Sequence, residues 1–458
     1  MEPWWITPLR EEFDGRRVVL AGAVAAAWTE HIELLRSVGV GEILVIATEG
    51  RGTGPQPDVP TLVVEPPPGL PMIESIRFGN DVLAHPTQEM RAALDDFDPG
   101  STALAVGTFL NTAPSLDGRP FLAYRRPEWE ALEDKVVVDA FWDRAGVDRQ
   151  PSIVVERQVA REAAASLDRG QGTVWAADAR DGFNGGGSGT FWVADEESAD
   201  RAETELAPMC DRVRVMPFLD GIPCSLHGIV LPDGIIALRP VEMIVLRSGT
   251  RFVYAGCATY WDPPTTVREQ MRNIVRQAGA QLAADVDFRG TFTVDGVVTD
   301  SGFWPTELNP RFGAGIMTIS RASHLPILML NDLIVSGRSL GRSAAEIEID
   351  LLAAADEHRG GGTWRGGFEP TSEMVDRPIC RTASGGWRWA GDEESPDGLV
   401  TAGNRFRRCT YDPATTPRGP STGPLAAGFW EFADRELGTD LGALTAAPDP
   451  GAGVTTRI

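Results

Sequence analysis

The stretch from Arg289 to Gly315, RGTFTVDGVVTDSGFWPTELNPRFGAG, constrains the fold more than any other part of this chain. TFTVDGVVT has the β-branched and apolar content of strand, with a turn expected at Asp295-Gly296, and FWPTELN reads as the strand that follows. Side chains alternate between the faces of a strand, so Glu307 and Asn309, two apart, share one face. Asp295, twelve residues before Glu307, lies on the neighbouring strand within reach of both. Two carboxylates and an amide oxygen are a hard, all-oxygen ligand set, suited to Mg²⁺, or Mn²⁺ in its place, shared with a phosphate. Arg311 follows where a planar cation can meet phosphate or a developing oxyanion. Pro310, Gly313 and Gly315 are expected to end the strand sharply. Taken alone, the same stretch also fits a hairpin with a solvated polar edge, so the decision falls to the rest of the chain.

A length of 458 residues allows two to four domains with full-sized cores, and a hydrophobic content of 42% suits a globular protein. The formal charge of −23 opposes nucleic acid or an anionic membrane as the main partner, because their phosphates are repelled overall. Cys210, Cys224, Cys257, Cys380 and Cys409 are scattered, with no CxxC spacing, which points to a reducing compartment and to no zinc site. The N-terminal residues are acidic where a signal peptide needs a basic and then apolar run, and VVLAGAVAAAW falls short of the ~20 apolar residues that span a bilayer. A cytoplasmic protein is expected. Among 42 basic residues the only lysine is Lys135. Under such a bias toward arginine, a retained lysine points to a need for its compact ammonium.

Before Glu128 the text alternates strand and helix, with VVLAGA, a helical run closing at Gly39, EILVIA, a helix from Thr87 to Phe97, and TALAVG. This predicts a parallel α/β layer, and its glycines do not form a GxGxxG fingerprint. WEALEDKVVVDAFWDRAGV then predicts a helix carrying Lys135 near its start. TVWAADARDGFNGGGSGTFWVAD reads as two strands joined by a loop centred on Gly185, Gly186 and Gly187, whose amides can approach phosphates unobstructed by a Cβ. RVRVMPFLDGIPCSLHGIVL is strand, turn and strand, and IIALRPVEMIVLR continues a mixed sheet that places Arg239, Glu242 and Arg247 near it. His227 lies on a strand facing the expected cleft. Helices follow over 265–284, 322–335 and 343–358, and the tail reads as short strands and turns before a helical run at 428–437.

In this order the parts resemble the ATP-grasp superfamily of ligases. The resemblance covers residues 128 to 325 and rests on the Lys-bearing segment, the glycine-rich loop, the strand leading to Met216–Leu219, and Asp295 with ELNPRFGAG. It implies an α/β (α+β) fold: a pre-ATP-grasp α/β domain over 1–128, an ATP-grasp domain over 129–345 divided near 220, and a C-terminal domain over 346–458. It further implies ATP and Mg²⁺ as cofactors. Asp295, Glu307 and Asn309 would hold the metal, and Arg311 would face the transferred phosphoryl group. Lys135 would touch the ATP phosphates, with Gly185, Gly186 and Gly187 as the lid over them. Met216, Phe218 and Leu219 would form the hinge that reads adenine, and Arg289 would touch phosphate or substrate. Arg239, Glu242 and His227 are candidates for contacting a small carboxylate or amine substrate.

One departure stands out. Such enzymes commonly carry a second lysine on the strand before the glycine loop, and this chain has alanine there, at Ala176 or Ala177, with Arg180 nearby. The overall layout resembles, more narrowly, the pheganomycin-type peptide ligases. That implies amide formation through an acyl phosphate, with amino acids or small peptides as substrates and a homodimer allowed. A kinase of the same fold and an ATP-binding protein without ligase activity are the competing readings.

Overall fold

The structure is a computed structural model and describes residues 2–52, 54–70, 72–180 and 187–449. The chain divides into two compact units, Met1–Trp129 with Pro326–Ser343, and Glu130–Leu325 with Ala344–Ile458.

In the first unit, strand Arg17–Ala21 pairs in parallel with Glu42–Ala47 and with Leu104–Gly107, and Thr61–Val63 adds to the outer side of Glu42–Ala47. Consecutive parallel strands need helical crossovers, which is the pattern the sequence shows. The helix Gln88–Phe97 begins at Thr87, whose side chain accepts the Met90 N–H. Val19, Leu44, Ile46, Met90 and Leu94 form its apolar core. A helix at Met72–Ala84 was not anticipated. Its mid-helix Gly79 lowers local propensity, and it is glycine because a Cβ there would lie 2.7 Å from the Thr48 hydroxyl.

The second unit holds every candidate site residue among the described residues. Its elements are α1 (Val138–Ala145), β1 (Ile153–Glu156), α2 (Ala160–Leu167), β2 (Thr173–Ala177), β3 (Thr190–Val193), α3 (Glu196–Leu206) and β4 (Arg212–Pro217). Then come β5 (Ile222–Leu231), β6 (Gly234–Ala237), β7 (Val241–Ser248), β8 (Arg251–Ala258), α4 (Thr265–Val286), β9 (Gly290–Thr299), β10 (Gly302–Asn309) and α5 (Ala314–Ser323). The chain ends through α6 (Ala344–Glu357), β11 (Gly361–Arg381), β12 (Trp387–Trp389), β13 (Gly398–Tyr411) and α7 (Gly423–Leu437).

Among the described residues, β1-β4-β2-β3 form a small antiparallel sheet. One of its faces carries Trp175, Ala177, Val213 and Val215 into a core with α2 and α3. A larger sheet runs β10-β9-β5-β7-β8-β11-β12, with β6 on β5 and β13 on β11. The C-terminal strands therefore share a sheet with the strands bearing Asp295 and Glu307. Helix α7 closes that end, its Phe429 and Trp430 joining Ile244, Leu246, Ile379 and Val400 in one core.

Four local expectations change. Asp295-Gly296 is a β-bulge inside the continuous strand β9, and the reversal comes later, before Gly302 at φ +112°. Lys135 precedes helix α1 and lies in a turn, because Asp134 is extended and its carboxylate accepts the Val136 N–H. The helix expected over 322–335 is two helices, α5 and Ile327–Val335, separated by left-handed His324 and by Pro326. The tail holds long strands where short ones were expected, since register shifts along β11 let it bend without ending. All five cysteines are free and buried. Among the described residues no helix is long and apolar enough to cross a membrane.

Candidate active site

Strand pairing assembles the site. Asp295 on β9 lies opposite Glu307 on β10, and Thr293 lies opposite Asn309. On the other side of β9, Ser225 and His227 of β5 face Asp295 and Thr293. The bulge requires glycine at 296, because a Cβ there would lie 2.3 Å from the Trp304 carbonyl and 2.5 Å from the Phe303 ring.

Each polar group is then held by another. Asp295 accepts from the Ser225 hydroxyl at 2.5 Å and from Asn309 Nδ2 at 3.0 Å. The free carbonyl end of that amide, Asn309 Oδ1, accepts from Arg311 Nη2 at 3.1 Å. Arg311 Nε donates to both oxygens of Glu133, at 3.1 and 3.2 Å, and Glu133 is buried. Two residues on, Lys135 Nζ lies 3.3 Å from Glu307 Oε2. The Asp134 carboxylate between them fastens this turn by accepting the Val136 and Ala179 N–H groups. One short turn thus grips both Arg311 and Glu307.

Burial, and after it the facing Glu307 charge, hold the Asp295 carboxyl well above the usual carboxylate range. A divalent cation among Asp295, Glu307 and Asn309 Oδ1 would supply the positive charge that two facing, partly buried carboxylates call for. The donor set fits such an ion by its chemistry: all oxygen, two anionic and one neutral. Among the described residues, no group of three His, Cys, Asp or Glu side chains competes as a cage.

The remaining candidates divide. His227 is fully buried, its Nδ1 lies 3.0 Å from the Thr293 hydroxyl, and burial pushes it down to about 3, so it is neutral at physiological pH. A Cβ on Gly315, at the start of α5, would fall 2.1 Å from His227 Nε2. Gly315 therefore seats α5 against β5 and does not merely end a strand. Gly315→Ala is expected to lower the melting temperature, at a cost of roughly 1–3 kcal/mol for overpacking. Combined with His227→Ala, the loss should shrink in a double-mutant cycle, and strict additivity would refute the steric account.

Arg239 is buried and paired with Asp262 at 2.6 Å and with Asp356, and Arg359 joins the same two carboxylates. Glu242, also buried, accepts from the Ser421 and Thr422 hydroxyls and from the Thr422 and Gly423 N–H groups. Both residues, read from sequence as substrate contacts, are committed to internal partners. Arg289 pairs with Asp287 at 3.5 Å. It lies six residues before Asp295, so the rise of a strand puts it about 20 Å from the cluster.

Met216 is the last residue but one of β4, and Phe218 and Leu219 lie in the link to β5. The Phe218 ring stacks on Trp192 at 4.0 Å, and the Arg247 guanidinium covers both rings. Gly187 is left-handed at φ +81°, whereas Gly185 and Gly186 lie outside the described residues. Ala177 belongs to the core of the small sheet, so Ala176 is the alanine on its opposite face. Arg180 pairs with Asp211 at 3.2 Å and donates to the Pro208 carbonyl. Glu133, Ser225 and Thr293 are the positioning residues that sequence reading missed. Nothing in their local text sets them apart, because their partners are distant along the chain.

Residues 180–315 match the family model of the ATP-grasp domain. The arginine-specific large chain of carbamoyl phosphate synthase from Geobacillus stearothermophilus is 25% identical over 156 residues, 34% of this chain and 14% of that one. This chain therefore spans only a small part of that curated relative. Among solved structures, biotin carboxylase from Campylobacter jejuni aligns with a TM-score of 0.54 and 11% identity over 88% of each chain. The L-amino acid ligase from Bacillus licheniformis aligns with a TM-score of 0.51 and 12% identity over 94% of this chain and 98% of its own. At such identities the likeness is one of fold, and it bears out the α/β, multi-domain architecture.

Proposed function

We propose that this chain, with an ATP-grasp domain over residues 180–315, is an ATP-dependent ligase that joins a carboxylic acid to an amine and releases ADP and phosphate. The observation that carries the reading is the joint arrangement of Asp295, Glu307 and Asn309 with Lys135 and Arg311 held against them. Spent on structure alone, two facing carboxylates with one buried and one half-buried cation would be a costly arrangement.

In the first step a carboxylate oxygen of the substrate attacks the terminal phosphorus of ATP. An O–P bond forms, the bond to the ADP oxygen breaks, and an acyl phosphate results. The amine then attacks the acyl carbon, phosphate leaves, and the nitrogen gives up a proton. A bound Mg²⁺ would neutralise phosphate oxygens and orient them. Lys135 would contact the same phosphates as a compact cation, and Arg311, aimed by Glu133, would face the transferred group. Backbone groups from Met216 to Leu219 would read the base, and the loop of Gly185, Gly186 and Gly187 would exclude water from the acyl phosphate.

The narrower reading, joining of amino acids or a small peptide as in pheganomycin-type ligases, is supported by the order of the parts along the chain. In it, the C-terminal segment beyond residue 346 covers the amine site.

The test is ADP release across a panel of amino acids and short peptides, with product mass as a second readout. A ligase releases ADP only with a suitable acid and yields an amide when amine is present. A stable phosphorylated product formed without amine would replace the ligase reading with a kinase. ATP binding without ADP release on any acid would leave a binding protein.

A further inference from the structure

The face of the small sheet that carries Ala176 also carries a buried cation. Val213 and Val215 of β4 enter the core with α2 and α3, so Arg214 and Met216 between and beyond them face the other way. In the antiparallel register Arg214 lies directly opposite Ala176. Side chains paired in this way start about 5 Å apart at Cβ. A methyl group at 176 fills little of the space on that face, which a long side chain on the next strand can use.

Arg214 is nearly inaccessible, at 1% exposure, and its partners do not satisfy it. Nη2 lies 2.6 Å from Asp139 Oδ1, Nη1 donates to the Thr306 carbonyl at 2.9 Å, and the Met216 sulfur lies 3.7 Å away. Asp139 is shared, since it also accepts from the Ser152 hydroxyl and lies 3.7 Å from Arg149. A guanidinium has five N–H donors, and Arg214 Nε is buried with no hydrogen-bond partner. An orphaned, charged donor is costly unless a ligand completes it. Its neighbours point to the ligand. Thr306 adjoins Glu307, and Asp139 follows Lys135 by four residues. Arg180, the other arginine near Ala176 in sequence, is turned to Asp211.

We infer that Arg214 binds a phosphate of the nucleotide, taking from β4 the place of the cation that is missing at Ala176 on β2. The inference rests on the ATP-dependent reading above. A planar fork of donors suits phosphate oxygens, and the unpaired Nε is the donor that would meet them.

The experiment measures the affinity of the full-length protein for MgADP and for adenosine, which lacks the phosphates. Arg214→Met, similar in length and uncharged, should weaken MgADP about 10-fold or more and leave adenosine within about 2-fold, as expected for losing a hydrogen bond to a charged group. Ala176→Lys added to Arg214→Met should recover most of the loss by returning a cation to β2. Arg214→Lys, which preserves the charge if the methionine variant does not fold, should weaken MgADP several-fold with adenosine again unchanged. Unchanged MgADP affinity in either Arg214 variant, or an equal loss for both ligands, would reduce Arg214 to a strut between β4, α1 and β10. Wild-type protein that binds no MgADP would overturn the ATP reading itself, and this inference with it.

Discussion

Glu307→Gln should lower ATP-dependent product formation by at least ~10²–10³, the loss typical of one electrostatic stabiliser, while the protein stays folded. The amide keeps the shape of the carboxylate and removes its charge. Lys135, 3.3 Å away, loses its counter-ion, and the set opposite Asp295 loses one of its two anions. The same substitution relieves the repulsion that helps to raise Asp295. Losing the Lys135 counter-ion and relieving that repulsion act in opposite directions, so the melting temperature of the unliganded protein should stay close to that of wild type. Activity should thus fall without a matching loss of stability. ADP release measured beside thermal melting checks both halves, and turnover near the wild-type rate would end the assignment of Glu307.

Glu242→Ala should have the largest effect on stability, about 3–5 kcal/mol, because it leaves several buried donors without an acceptor at roughly 1–3 kcal/mol each. Glu242 gathers four donors at the start of α7: the Ser421 and Thr422 hydroxyls and the Thr422 and Gly423 N–H groups. Burial pushes its carboxyl up, and those donors pull it back. The first amides of a helix have no partners inside the helix, and its positive end favours an anion, so one carboxylate on β7 meets both needs. Glu242→Gln should fall between wild type and alanine, because the amide keeps one acceptor oxygen. Urea unfolding reads this directly. Unchanged stability with a raised KM for one substrate would return Glu242 to the role of substrate contact that sequence reading had given it.

The contrast between Glu307 and Glu242 shows where sequence reading succeeds. Both lie on strands among apolar residues, and both were candidates. Glu307 belongs to a dense local pattern in which the two-residue period of a strand alone puts it beside Asn309, with Asp295 twelve residues away. Glu242 depends on a partner 179 residues further on, and no local period reports that distance. Arg311 and Glu133, 178 residues apart, are hidden for the same reason. Local backbone form was missed where one glycine has two uses. Asp295-Gly296 has the composition of a turn, and only the Trp304 carbonyl and the Phe303 ring against Gly296 make it a bulge. Gly315, read as a strand breaker, is the point where α5 meets His227.

Short-range chemistry was therefore written in the chain itself: the alternating α/β text before Glu128, the paired carboxylates and amide, and the single lysine. Periodicity and side-chain type act over a few residues, and they suffice for those features. Which cation meets which anion was settled by the fold. Lys135 was expected on a helix and sits in a turn fastened by Asp134, where it reaches Glu307. Arg214 drew no notice in the sequence, and strand register sets it opposite Ala176. An ion pair needs a few ångströms in space and nothing in particular along the chain, so only tertiary structure could assign these partners.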